Sequence, residues 1–150
     1  MRKPKIGLLP LYIELYDRIW PECRPRFVTY YQEVASAIRA RGAEVTTAPF
    51  CRLKAEFKTA VSSFEKADVD ALVTLHLAYS PSLESADVLA TTRLPIIVLD
   101  TTPTYGFGPQ QAAEEMMYNH GIHGVQDMCN LLLRSAKTFQ IEVGHWQKSD

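Results

Sequence analysis

The chain has 150 residues, 47% of them apolar and 22% charged, with a formal net charge of −1. That length suits one domain with its own core, and so even a balance gives no general electrostatic pull toward nucleic acid or an anionic membrane. No apolar stretch approaches the roughly 20 residues that span a bilayer, and three well-separated cysteines with no CxxC point to a reducing, cytoplasmic setting.

The opening MRKPKIGLLP is basic and then apolar, as a secretory leader would be. Pro10, Glu14, Asp17 and Arg18 interrupt it and no small-residue cleavage site follows, so residues 5–9 read as a first strand. Phe27, Tyr30, Tyr31, Val34 and Ile38 then recur at helical spacing, and Gly42 stands where a helix would be capped. Residues 44–48 are rich in β-branched side chains and predict a second strand. Phe57, Ala60, Val61 and Phe64 mark a second helix. A third strand over 70–75 precedes a short helix over 82–91. "PIIVL", 95–99, has the unbroken apolar character of a strand buried on both faces. Val125, Met128, Cys129 and Leu132 mark a late helix, and 139–143 is a fifth strand. This βα alternation predicts a single three-layer α/β domain with a parallel five-stranded sheet, in the flavodoxin-like order 2-1-3-4-5.

Ligands of such sheets bind outside the carboxyl ends of the strands, at the switch in strand order. That singles out the segments "PLYIELY", "HLAYSP", "DTTPTYGFG" and His145-Trp146, which follow the first, third, fourth and fifth strands. Glu14, Tyr16, His76 and Tyr79 are the expected lining of the crevice between the first and third strands, with His123 and His145 near the same edge. His120 and His123 stand three apart, but no cysteine or carboxylate is spaced to complete a metal set beside them. Gly121 and Gly124 read as turn formers around these histidines.

Several chemistries are excluded by missing residues. There is no GxxxxGK[ST] loop and no GxSxG elbow. "YGFG" follows the fourth strand and lacks the third glycine of a dinucleotide fingerprint. A phosphoacceptor receiver would end its third strand on Asp and place Lys after the fifth, where His76 and Gly144 stand. The cysteines lack the pairing of a two-cysteine racemase.

"KIGLLPLYIELYD", "ALVTLHLAYSPS", "NHGIHGVQDM" and the closing "VGHWQ" together resemble the N-terminal domain of the L-fucose/L-arabinose isomerase family, from about residue 5 to residue 147. The resemblance implies a three-domain subunit whose metal ligands and catalytic glutamates lie in the other two domains. It implies a divalent cation, Mn²⁺ foremost, bound outside this segment. It also implies a monosaccharide substrate and neighbouring subunits of a homo-oligomer, whose active site this domain reaches. Leu15 and Tyr16 fall on the family's Leu-Tyr, and 77–81 on its His-Thr-Phe-Ser-Pro-like loop, with Leu77 in place of His and His76 one position earlier. His123 matches a sugar-side histidine, and His120 stands where Gln is common. Asn119 belongs to the same loop, and His145 and Trp146 to the through-point "GHW". By this resemblance Glu14, Tyr16, His76, Tyr79, His120 and His123 are the expected sugar contacts, with Asn119, His145 and Trp146 beside them. No catalytic group is expected in the segment, which reads as the first domain of a longer enzyme and inactive alone. The alternative, drawn from the fold, is a stand-alone flavodoxin-like binding or sensory module without catalysis.

Overall fold

A computed structural model describes residues 2–148. In chain order the elements are β1 (Lys5–Leu11), α1 (Glu14–Ile19), a 3-10 turn (Pro21–Cys23), α2 (Arg24–Ala40), β2 (Glu44–Thr47), α3 (Lys54–Lys66), β3 (Ala71–His76), α4 (Ser82–Thr91), β4 (Ile96–Asp100), α5 (Ala113–Tyr118), α6 (Gly121–Arg134) and β5 (Gln140–Val143). All five strands are parallel, in the order β2-β1-β3-β4-β5. The flavodoxin-like three-layer arrangement expected from the sequence is the one observed.

Alternation along the central strands divides the core in two. Leu9, Leu11, Leu72, Ile96 and Val98 face α3, α4 and α6, where Phe57, Phe64, Leu89, Met128 and Leu132 meet them. Leu8, Val73 and Leu75 face the other way, against Phe27, Tyr30, Tyr31 and Val34 of α2 and Tyr12 and Tyr16 near α1. Close approach of layers needs Gly7, since a Cβ there would lie 2.7 Å from Cγ of Phe64. The α2 layer is keyed to the sheet by Tyr31. Its buried hydroxyl donates to the carbonyl of Leu8 at 2.9 Å and accepts the Ala48 N–H at 3.1 Å.

β1 runs two residues past the expected strand and includes Pro10. Its carbonyl accepts the Cys51 N–H at 3.0 Å on the β2 side, so its missing N–H falls on that side too, where β2 has already ended at Thr47. No ladder bond is lost, which is why proline is tolerated in a central strand here. Gly42 takes φ +99° just past α2 and donates to Arg39 O at 3.0 Å, ending the helix as its position suggested. α1 and α5 are additional short helices within segments expected to be loops. No helix among the described residues is long and apolar enough to cross a membrane.

Candidate functional site

β3 ends on His76, and the side chains of Leu72, Thr74 and His76 alternate onto the face that α6 covers. α6 begins directly over this strand end. A Cβ on Gly121 would meet His76 O at 2.7 Å, and one on Gly124 would meet His76 Cδ2 at 2.6 Å and Ser80 N at 3.2 Å. The two glycines therefore lie one turn apart within the helix and admit the strand end between them, correcting their expected role as turn formers. His76 is only 2% exposed, and neither ring nitrogen has a hydrogen-bond partner among the described residues. Burial pushes its pKa down to about 3, so the ring is neutral at physiological pH. The structure places His76 beneath α6 instead of in the open crevice where sequence position had set it.

Above it, the start of α6 forms a ledge. His120 precedes the helix and His123 occupies its first turn, with ring centroids 4.3 Å apart. Tyr79, from the loop after β3, lies 5.9 Å from His120 ring to ring. Its hydroxyl donates to Asp127 Oδ2 at 3.0 Å, and that bond is the main cause of the rise in its pKa. Partial burial, then the neighbouring His123, lower the pKa of His120. The ledge thus offers a neutral imidazole, a second exposed one, a protonated phenol and a carboxylate. Asp127 completes it and was passed over in the sequence, although it follows His123 by four residues and so shares its helix face. Among the described residues, however, no three His, Cys, Asp or Glu side chains converge in a way that would hold a metal ion.

The other expected site residues lie elsewhere. Tyr16 is buried at 6% exposure, its ring 6.1 Å from Tyr12 and 5.9 Å from Trp20, so it fills core instead of lining a crevice. Glu14 is exposed at the start of α1. Asn119 is a clip: its Oδ1 accepts Thr104 N–H at 3.0 Å, while Nδ2 donates to Thr104 Oγ1 at 3.1 Å and Glu115 O at 2.9 Å. With both amide ends engaged, it holds the loop after β4 onto α5. His145 packs edge-on to Tyr105 at 5.1 Å. Trp146 donates its backbone N–H to Thr101 Oγ1 at 3.1 Å and sets its indole 6.3 Å from the ring of Tyr30. Both border a cleft of about 290 Å³ between β5 and α2, with Ile38 and Leu99 in its wall.

A larger cleft, about 490 Å³, lies between the segment after β2 and α3, with Phe50, Cys51, Ala60 and Phe64 as its apolar lining and Arg24 and Arg52 among its polar residues. Arg52 donates to Asp17 and to Glu56, each at 2.6 Å, and Arg24 also pairs with Asp17. Burial works against the Asp17 carboxylate, but hydrogen bonds from both arginines outweigh it and keep its pKa below the ordinary value. In the sequence only the i,i+4 spacing of Arg52 and Glu56 signalled this network. All three thiols are buried, and desolvation pushes Cys23 up to about 11 and Cys51 up to about 12, so neither is a nucleophile at neutral pH.

No protein-family model matches the chain, and a search of curated proteins finds no significant match.

Proposed function

We propose that this chain is the substrate-recognition domain of a metal-dependent aldose–ketose isomerase acting on an L-fucose- or L-arabinose-like sugar. In this reading it acts in the cytoplasm, within a homo-oligomer, and lends sugar contacts to a neighbouring subunit's active site. What supports it, beside the resemblance of the motifs, is the meeting of Tyr79, His120, His123 and Asp127 on one ledge at the carboxyl edge of the sheet. A sugar hydroxyl both donates and accepts. A neutral imidazole can answer either way, a phenol can donate and accept, and a carboxylate accepts. The divalent cation, Mn²⁺ foremost, belongs in this reading to other domains, since the histidines here do not form a metal set. This segment's share is orientation of the open-chain sugar and exclusion of water.

The test is an NMR titration of the chain with L-fucose and L-arabinose at millimolar concentrations. The His120, His123 and Tyr79 ring signals should move, and His123→Ala should weaken binding roughly two- to tenfold, the worth of one hydrogen bond to an uncharged group. No movement with either sugar refutes the reading. A second reading, a stand-alone small-molecule-binding module, is favoured by the 490 Å³ cleft between the segment after β2 and α3, with its apolar wall and its two arginines. Shifts confined to Phe50, Arg52 and Phe64 would select it.

A further inference from the structure

α3 packs over β1, where Gly7 admits Phe64, and among the described residues none of β2 joins the core on that face. This flank of the sheet stays open, and the 490 Å³ cleft runs along it, between α3 from Ala55 to Phe64 and the chain from Thr47 to Arg52. Its floor is apolar and buried, made by Ala48, Cys51, Ala60 and Phe64, while Thr59 and Ser63 stand exposed at the rim. Such a volume falls within the roughly 300–1,000 Å³ of small-molecule sites. The two arginines of the cleft are used unequally. Arg52 grips both oxygens of Glu56 along one edge of its guanidinium, Nε to Oε2 at 3.3 Å and Nη2 to Oε1 at 2.6 Å, and gives Nη1 to Asp17 at 2.6 Å. Arg24 gives only Nη1, also to Asp17, and rests on the ring of Phe50 with Cζ 5.0 Å from its centroid. The corresponding Nε–Nη2 edge of Arg24 has no partner among the described residues.

We propose that this cleft binds a monocarboxylate with an apolar, aromatic body, its carboxylate on the open Nε–Nη2 edge of Arg24 and its body on the floor of Ala48, Cys51, Ala60 and Phe64. Glu56 on Arg52 shows the same geometry within the chain. Two parallel N–H donors match the two oxygens of a carboxylate, whereas an amide carbonyl or a hydroxyl brings one acceptor oxygen. Asp17 and the ring of Phe50 already hold the guanidinium in place, so little of its freedom remains to be lost on binding. The charges of Arg24, Arg52, Asp17 and Glu56 cancel, so the local field favours no multiply charged anion, and recognition falls to the paired donors and the apolar floor. A sugar fits this floor poorly, because its hydroxyls would leave water without finding partners there. The ligand is thus of a different class from the one proposed for the ledge.

The proposal rests on the cleft that favours the binding-module reading and names its ligand; beside the isomerase reading it is a second site that needs no sugar and no metal. The test is an NMR titration of the chain with naphthylacetate and, separately, with naphthylacetamide, which has the same shape but no charge and one acceptor oxygen. The acid should move the signals of Phe50, Ala60 and Phe64 and bind roughly three- to thirtyfold more tightly than the amide, the worth of a part-exposed charged pair of hydrogen bonds. Arg24→Lys keeps a cation beside Asp17 but has no paired edge, so it should close most of that gap by weakening the acid alone, with melting temperature as the check on folding. If this variant fails to fold, the acid–amide comparison in the parent protein decides. No binding of the acid at millimolar concentration, equal affinity for acid and amide, or acid shifts confined to the ledge would overturn the proposal. L-Fucose and L-arabinose titrated alongside keep the readings apart. Sugar shifts at the cleft with no response to the acid would retain a binding module and reject this ligand; acid shifts at the cleft with no response to either sugar would uphold this ligand while the isomerase reading fails.

Discussion

A histidine sealed in the core without a hydrogen-bond partner should make this protein acid-sensitive well above the range where its carboxylates titrate. In the unfolded chain the His76 ring titrates at its ordinary value of 6.5, and burial lowers it to about 3 in the native state. Below 6.5 the unfolded state therefore binds a proton that the native state refuses, so stability is complete above that pH and is lost as pH falls toward the native value. As long as the native pKa lies well under 5, the loss at pH 5 depends only on the unfolded value. A gap of 1.5 units at about 1.36 kcal/mol each gives about 2 kcal/mol between pH 7 and pH 5, a large part of a typical domain's 5–15. His76→Leu removes the titrating group and replaces two unpartnered nitrogens by carbon of similar bulk, so at pH 7 its stability should stay within about 1–2 kcal/mol of the parent. Urea unfolding of both proteins at the two pH values should show the parent losing about 2 kcal/mol more than the variant. His120, also depressed, and the arginine-bound Asp17 and Glu56 are present in both and cancel in that difference. Equal losses in the two proteins would refute the reasoning, since His76 would then have to accept its proton in the native state about as readily as in the unfolded chain.

Two further substitutions test how the helical layers are seated on the sheet. Gly121→Ala improves helix propensity by about 0.8–1.0 kcal/mol, yet its Cβ would fall 2.7 Å from the carbonyl oxygen of His76; the overpacking cost of about 1–3 kcal/mol should win, lowering the midpoint of urea unfolding. Tyr31→Phe should cost about 1–3 kcal/mol by the same assay, because the buried Ala48 N–H and the Leu8 carbonyl lose a shared partner.

The strand order was legible because each strand except the short edge ones is a run of apolar residues, and each crossover helix shows its 3.6-residue stripe. The site was legible only by altitude. Counting residues after a strand end places a side chain at the carboxyl edge but not on a face, and the face decides between solvent and core. For His76 the parity of Leu72, Thr74 and His76 settles the matter, and it could have been read once β3 was assigned. Tyr16 gave no such signal, because α1 spans a turn and a half, too short for periodicity to show which side is buried. Asn119 carried the chemistry of a ligand residue and serves as a clip, a distinction that rests on Thr104 and Glu115 being within reach in space. Asp127 entered the ledge through the helix pitch alone.

The central position of β1 also bears on how the molecule breathes. β1 and β3 each have a strand on both sides and are largely closed to solvent, whereas all four residues of β5 are exposed and, among the described residues, pair with β4 alone. Local opening follows such gradients, so backbone amides should exchange with deuterium first along β5 and last along β1 and β3. An excursion that frees β5 also frees His145 and Trp146, leaving the ledge above β3 rooted in the slowest-exchanging part of the chain. The two groups of aromatic and imidazole side chains at this edge of the sheet therefore live on different clocks.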